Sequence, residues 1–190
     1  MSEIDRQKWD QRYAEDSYRK GNPVTLVEDW VDRIPQGRAL DVACGAGRNS
    51  ILLAQRGFAV DAIDISAEGL KLGRQHAEGH GLEINWIEHD LDEPYAFDND
   101  YSLILVLWYV DLELIARLTR HLAPGGYLVC EEHLQTDADV VGPGNPDFRV
   151  PAGALHDAAN GLEILLYEEK LGRNDDGEQL ASARLVAKKP

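Results

Sequence analysis

Two aspartates, each at the end of a short apolar run, are the residues best placed to bind a ligand. Asp41 ends the run Ala39-Leu40 and precedes the glycine-rich loop Cys44-Gly45-Ala46-Gly47, and Asp64 ends a second run over residues 59–63. In a strand–helix–strand unit, the carboxyl ends of both parallel strands reach the same edge of the sheet. A nucleoside-like ligand can lie across that edge with its ribose hydroxyls held by the second carboxylate.

The glycine-rich loop alone does not choose the ligand, because such loops bind NAD, FAD, nucleotides and S-adenosylmethionine alike. A dinucleotide fingerprint has a third glycine where this chain has Ser50. A carboxylate about 4 Å from a pyrophosphate would be repelled by roughly 4 kcal/mol at an effective dielectric constant of 20, whereas an ammonium or sulfonium would be attracted. Asp41 therefore favours a cationic ligand; the alternative is that it only caps the following turn.

The elements that must position these acids alternate between strand and helix. The patterns predict strands over 38–41, 58–63, 83–88, 101–107 and 127–131, a closing hairpin of strands over 163–171 and 179–188, and helices over 3–14, 23–34, 48–56, 67–78, 111–122 and 151–160. The hairpin turn is Asn174-Asp175-Asp176-Gly177. This order predicts an α/β fold: a three-layer, doubly wound, mostly parallel seven-stranded sheet that ends in an antiparallel hairpin.

Several stretches of the sequence together carry a family resemblance. They are Asp41 to Ser50, Asp64-Ile65-Ser66, His89-Asp90-Leu91, Leu122 to Tyr127, and the amino-terminal Trp9-Asp10-x-Arg12-Tyr13 with Asn22-Pro23. With these residues the chain resembles the class I S-adenosylmethionine-dependent methyltransferases. Within that class it is similar to the group that includes the bacterial tellurite-resistance and thiopurine methyltransferases. The resemblance covers most of the chain and implies a Rossmann-like fold.

The resemblance implies S-adenosylmethionine as the cofactor, S-adenosylhomocysteine as its product, and a set of residues around them. Asp64 would hold the ribose hydroxyls, and Asp90 would bind the exocyclic amine of adenine, unless it is only a loop acid. A side chain at Gly47 would block the cofactor without unfolding the protein. The implied cofactor-binding residues are Trp9, Arg12, Tyr13, Asp41, Ala43, Gly45, Gly47, Asn49, Asp64, Ile65, Asp90, Leu91 and Leu107.

The methyl acceptor is less well defined by the sequence. Methyl transfer mainly requires positioning of the nucleophile and exclusion of water, so a dedicated base is not required. The catalytic residues remain unknown; the candidates are His133, Arg149 and Arg173. Trp108 and Tyr109 are further candidates on the acceptor side, and the resemblance implies that Leu107 and Trp108 bound the methionine arm. In the tellurite-resistance relatives a His-Arg pair precedes the final hairpin turn, where this chain has Gly172-Arg173. Methyl transfer is therefore expected, with a small thiol, selenium or tellurium species as the acceptor class implied by the resemblance.

Length and composition agree with one soluble domain. The chain has 190 residues, 44% hydrophobic and 28% charged, with no apolar run of the roughly 20 residues that span a bilayer. A net charge of −15 argues against a nucleic-acid partner. Two cysteines, Cys44 and Cys130, give no metal spacing, so no metal site is predicted. Without a secretory signal or a membrane span, the expected location is the cytoplasm and the expected state a monomer or homodimer.

One domain over 1–190 is predicted, with residues 38–190 as the Rossmann-like core. The family resemblance implies that residues 1–34 form a helical lid over the cofactor. Two other functions remain open at this point. The chain could be a dinucleotide-binding oxidoreductase, or an S-adenosylmethionine-binding domain without catalysis. Against the first, this chain lacks the third glycine of a dinucleotide fingerprint. Against the second, a domain without catalysis would be expected to have lost cofactor residues, and none is missing here.

Overall fold

Seven strands and six helices make up the structure, a computed structural model that describes residues 3–15, 21–98, 100–174 and 176–190. The strands are β1 (Arg38–Val42), β2 (Ala59–Asp64), β3 (Ile84–Glu88), β4 (Tyr101–Leu107), β5 (Leu122–His133), β6 (Glu163–Arg173) and β7 (Gln179–Lys188). The helices are α1 (Glu3–Ala14), α2 (Thr25–Val31), α3 (Arg48–Gln55), α4 (Ala67–Gly79), α5 (Leu112–Leu118) and α6 (Ala154–Ala158).

The strands form one sheet in the order β3-β2-β1-β4-β5-β7-β6. All pairings from β3 to β5 are parallel, and β7 pairs antiparallel with both β5 and β6. The predicted mostly parallel sheet with a closing antiparallel hairpin is therefore confirmed. The direction of winding reverses between β1 and β4, and ligands of doubly wound sheets bind at this switch point, outside the carboxyl ends of the strands.

Two apolar clusters cover the two faces of the sheet. One contains the inward residues of α2, α3 and α4, and the other contains those of α5 and α6. The central strands are buried on both faces, which is why β4 reads as an almost unbroken apolar run. Burial of both faces fixes the register of the strands, because a shift by one residue would exchange the side chains of the two faces.

The boundaries of some elements differ from the sequence prediction. The strand predicted over 127–131 begins earlier, at Leu122, which pairs with Tyr101 before the register shifts to pair Leu103 with Tyr127. The Pro124-Gly125-Gly126 segment is thus a bulge inside β5, with Gly125 at a φ of 76°. The second helix is shorter than predicted, since it begins only at Thr25 and ends at Val31. Asp175, in the predicted hairpin turn, lies outside the described residues.

Within the described residues, no helix is both long and apolar enough to cross a membrane.

Candidate functional site

Asp64 lies at the carboxyl end of β2 and joins two loops through its carboxylate. The amide of Gly45 donates to Oδ2 at 2.8 Å, and the amide of Ser66 donates to Oδ1 at 2.8 Å. The side chain is buried, and burial raises the pKa of the carboxyl, opposed by these backbone bonds. Each carboxylate oxygen has a second lone pair, so both can still accept a hydroxyl. The predicted ribose-binding acid therefore also holds the glycine-rich loop in place.

The glycine-rich loop has backbone conformations that side chains rarely adopt. Ala43, Gly45 and Gly47 have φ values of 54°, 56° and 74°. A Cβ built on Gly45 would lie 2.0 Å from the Tyr13 hydroxyl oxygen. A Cβ built on Gly47 would lie 2.2 Å from Cη2 of Trp86, which belongs to the neighbouring core. The expectation that a side chain at Gly47 leaves the fold intact is therefore corrected, because it would displace a packed tryptophan.

Asp41 lies inside the protein beneath this loop. Its Oδ2 accepts a hydrogen bond from the Ser50 hydroxyl at 2.5 Å. Burial raises the pKa of Asp41 to about 6, partly offset by Ser50 and by the positive charge of Arg48. Ser50, which stands where a dinucleotide fingerprint has its third glycine, thus forms a hydrogen bond with Asp41. An opposite charge near Asp41 would restore its ordinary acidity, which a cationic ligand group can provide.

The amino-terminal helix α1 packs on the start of α4, beside the glycine-rich loop. Asp10 Oδ1 accepts from the Ser66 hydroxyl at 2.7 Å and from the Glu68 amide at 3.2 Å. The Ser66 hydroxyl caps α4 locally, and Asp10 adds a second cap from another helix, where a negative charge is favoured. Trp9 and Tyr13 stack with ring centroids 6.1 Å apart, and the Arg12 guanidinium lies 4.8 Å from the centroid of the Trp9 ring.

The other predicted cofactor residues lie around the same edge of the sheet. Ile65 and Leu91 are buried, and Leu107 ends β4. The Asn49 side-chain oxygen accepts from the Val24 amide at 2.9 Å, which ties the segment before α2 to α3. Asp90 Oδ1 accepts from the Asp92 amide at 3.0 Å. The structure thus gives Asn49 and Asp90 contacts within the protein, and their contacts with a cofactor stay predictions.

The acceptor candidates Trp108 and His133 meet at the carboxyl ends of β4 and β5. Their ring centroids lie 4.6 Å apart. Burial, and secondarily the positive charge of Arg149, lowers the pKa of His133 to about 4, so the ring is neutral near pH 7. Burial also raises the pKa of Tyr109, with further contributions from Asp111, Asp90 and Asp64. Trp108, Tyr109 and His133 therefore form a neutral aromatic wall at the carboxyl ends of β4 and β5.

Arg149 and Arg173, the other catalytic candidates, bind backbone carbonyls. The Arg149 guanidinium donates to the carbonyl oxygens of Pro143, Leu134 and Val141 at 2.9, 3.2 and 3.2 Å. It therefore holds together the loop after β5. The exposed Arg173 donates to the Gly177 carbonyl across the hairpin turn. These contacts give both residues a structural explanation, and a catalytic role for either stays an untested prediction.

Three residues around the site were not assigned a role from the sequence: Asp10, Trp86 and Glu132. Asp10 stands in the quoted amino-terminal motif, but its contact with α4 joins segments far apart in the chain. Glu132 is the buried residue before the last one of β5, and an acid in a buried strand is a signal that the sequence does offer. Among the described residues, no group of three or more metal-ligating side chains could hold a metal ion.

Comparisons with known proteins agree with this geometry. A family model described as "Methyltransferase domain" matches residues 39–126. The ubiquinone biosynthesis O-methyltransferase of Idiomarina loihiensis is 32% identical over 126 residues, which is 62% of this chain and 52% of that protein. The "probable S-adenosyl-L-methionine-dependent methyltransferase TehB" of Haemophilus influenzae is 27% identical over 164 residues, 81% of this chain and 57% of that protein.

A solved structure extends the likeness to the whole fold. The crystal structure of TehB from Haemophilus influenzae superposes with a TM-score of 0.79 at 24% identity, covering 91% of this chain and 64% of that one. The chain spans about half the length of the curated relatives it matches. The resemblance to class I S-adenosylmethionine-dependent methyltransferases, and to the TehB-like group within them, is confirmed.

Proposed function

We propose, taking residues 39–126 as a methyltransferase domain, that this protein transfers the methyl group of S-adenosylmethionine to a small acceptor with a soft nucleophile. The contacts of Asp64 carry the proposal: one buried carboxylate binds the amides of Gly45 and Ser66 at the carboxyl ends of β1 and β2. A dinucleotide would place a diphosphate beside this loop, where the negative charge of the buried Asp41 opposes it.

The cofactor supplies a methyl group activated by its sulfonium, and the chain supplies position and environment. Asp64 would accept the ribose hydroxyls, and Asp41 would face the positive charge of the methionine part. Trp108 and the neutral His133 would form the wall beside the acceptor. A neutral aromatic wall excludes water and does not repel the sulfonium, which favours displacement at the methyl carbon.

The proposed lid argues for a small acceptor. Helix α1 lies on α4, and its Tyr13 hydroxyl reaches the glycine-rich loop. A segment in this place would cover a bound cofactor and leave little room for a macromolecule. The thiol, selenium or tellurium class is supported by the resemblance to the tellurite-resistance group, while Gly172 in place of the relatives' histidine leaves the individual acceptor open.

A panel of acceptors tests this proposal. Labelled S-adenosylmethionine would be incubated with small thiols, selenite, tellurite, amines and phenols, and in parallel with tRNA and protein fractions. We expect methyl transfer to at least one thiol, selenium or tellurium compound, at a rate above that of every macromolecular fraction. Transfer confined to tRNA or protein would contradict the proposal, and transfer confined to amines or phenols would exclude the soft-nucleophile class.

The raised pKa of Asp41 predicts that binding of S-adenosylmethionine weakens in mild acid. Below a pH of about 6 the free protein has a neutral Asp41, which attracts a cationic ligand less than the carboxylate does. Affinity should therefore fall as the pH decreases from 7 to 5, by up to about tenfold per unit. Calorimetric titrations across this range measure the change. Asp41→Asn should bind more weakly at pH 7 and lose most of the pH dependence.

The stability of the free protein provides an independent check on Asp41. Because the folded pKa of about 6 lies above the unfolded value of 3.8, ionising Asp41 costs stability as the pH rises between these values. The cost approaches about 3 kcal/mol at higher pH. Asp41→Asn without ligand should thus be at least as stable as the wild type at pH 7. A less stable variant with unchanged cofactor affinity would contradict this account of Asp41.

The contacts of Asp10 predict that this residue holds the lid closed. Asp10→Ala removes two hydrogen bonds to α4, each worth about 1 kcal/mol, so affinity for S-adenosylhomocysteine should decrease by roughly 5- to 30-fold. The unfolding midpoint should change little, since the core clusters do not include α1. Glu3→Ala is the matched control, because the Glu3 carboxylate contacts Gln7 and Arg6 on the same helix. Equal affinities for both variants would show that α1 is no lid.

A further inference from the structure

The turn that follows β4 has a backbone conformation that requires support. Trp108 has a φ of 60°, in the left-handed region that large side chains rarely adopt. Strand β5 provides that support by accepting hydrogen bonds from two successive amides of the turn. The Trp108 amide donates to the Glu131 carbonyl at 2.9 Å, and the Tyr109 amide donates to Oε1 of the Glu132 side chain at 3.3 Å. The unusual conformation of Trp108 is therefore fixed from the neighbouring strand.

Glu132 is an unfavourable residue for this place if stability alone is considered. Its side chain is fully buried, and burial raises the pKa of the carboxyl well above its usual range. Its second oxygen, Oε2, is buried and has no hydrogen-bond partner among the described residues. A buried polar atom without a partner destabilises the folded state. Strain and unsatisfied polar groups of this kind concentrate at functional sites.

The side chains that the turn presents belong to the acceptor side of the site. The ring of Trp108 lies against His133, the residue directly after Glu132. Burial and the nearby charges of Asp111, Asp90 and Asp64 raise the pKa of Tyr109. Of these acids, Asp64 ends β2 and Asp90 follows β3. A change in the turn would thus move the aromatic wall and leave the bonds between Asp64 and the glycine-rich loop intact.

We propose that Glu132 is a positioning residue for methyl transfer, which holds the Trp108–Tyr109 turn so that these side chains form the wall of the acceptor site. Glu132 does this through its bond to the Tyr109 amide and does not itself touch the cofactor. The inference rests on the proposed function in one respect, namely that the acceptor binds at the carboxyl ends of β4 and β5.

Two substitutions separate positioning from a purely structural role. Glu132→Gln keeps an oxygen that can accept from the Tyr109 amide, and Glu132→Leu removes the acceptor and the unsatisfied oxygen together. If Glu132 served only to stabilise the fold, the Glu132→Leu protein would be less stable than the wild type. A positioning residue should instead show a split, with turnover lost while stability and cofactor affinity remain.

Four measurements on the full chain test the split. They are the thermal unfolding midpoint, the affinity for S-adenosylhomocysteine, kcat/KM for the panel compound that the wild type methylates fastest, and the near-ultraviolet circular dichroism of Trp108, assigned with Trp108→Phe. For Glu132→Leu we expect an unchanged or higher midpoint, an affinity within threefold of the wild type, a changed Trp108 signal and a loss of at least 30-fold in kcat/KM. Glu132→Gln should keep the Trp108 signal and retain kcat/KM within about fivefold.

Three results would overturn the proposal: unchanged kcat/KM in Glu132→Leu, a loss of affinity or stability that parallels the loss of turnover, or equal inactivity of both variants. If the wild type methylates no compound of the panel, the proposed acceptor class fails by that result alone. The circular dichroism of Trp108 then still tests the positioning role of Glu132, because this measurement needs no methyl acceptor. A changed signal in the leucine variant and an unchanged one in the glutamine variant support it, and identical signals contradict it.

Discussion

Replacing Gly45 with valine is expected to abolish binding of S-adenosylhomocysteine, with affinity reduced by more than 100-fold, while the core stays folded. Gly45 has a φ of 56°, and a Cβ there would lie 2.0 Å from the Tyr13 hydroxyl oxygen and 2.8 Å from its Cζ. A side chain would thus strain the backbone, by about 1–3 kcal/mol, and expel the tyrosine from the edge of the site. Isothermal titration calorimetry measures the loss of affinity, and circular dichroism confirms the fold.

Two glycine variants serve as comparisons for Gly45→Val. Gly144→Val changes a glycine at which an added Cβ would meet no atom within 4 Å, and it should bind like the wild type. Gly47→Val should lose stability as well as binding, because its Cβ would meet the Trp86 ring at 2.2 Å. Wild-type affinity in Gly45→Val would show that this loop does not contact the ligand.

Removing the Asp64 carboxylate is expected to weaken cofactor binding by roughly 30- to 150-fold, or about 2–3 kcal/mol. Asp64→Ala would remove the proposed acceptor for the ribose hydroxyls and would free the amides of Gly45 and Ser66. Asp64→Asn should restore little affinity. Its side-chain NH2 group is a donor and would face the donating amide of either Gly45 or Ser66. The affinity for S-adenosylhomocysteine, measured by calorimetry, gives the size of the effect.

A remote acid provides the control for Asp64. Asp32→Ala removes an exposed carboxylate that pairs with Arg56 at 2.9 Å, and it should leave the affinity unchanged. If Asp64→Ala binds S-adenosylhomocysteine within twofold of the wild type, then this carboxylate is not part of the cofactor site, and the assignment of the site to the ends of β1 and β2 is wrong.

The sequence predicted the parts of the site that follow from local patterns. The strand–loop–helix pattern around Asp41 and Gly45, and the second acid Asp64, can be recognised because these residues lie next to the elements that position them. The order of strands and helices likewise determined the sheet and its closing hairpin. These features depend on neighbours in the chain and on periodicity, which a single sequence displays directly.

The contacts that were not predicted join distant segments. Asp10 bonds to Ser66 and Glu68, and Glu132 bonds to Tyr109, across separations that no periodicity reveals. The same limit explains why the effect of a side chain at Gly47 on the fold was predicted wrongly, because the neighbour Trp86 comes from β3. It also explains Arg149, because a guanidinium in a loop gives no sign in the sequence that three backbone carbonyls surround it.

Thermal unfolding of the protein in the presence of three ligands tests the central claim most directly. S-adenosylhomocysteine, NAD and NADP would each be added to the same preparation of the full chain. A ligand at about 100 times its dissociation constant stabilises the folded state by roughly 2.7 kcal/mol, which raises the midpoint of a protein of this size by about 5–10 °C. We predict this rise with S-adenosylhomocysteine and no rise with either dinucleotide. A rise with NAD or NADP and none with S-adenosylhomocysteine would contradict the assignment as a methyltransferase.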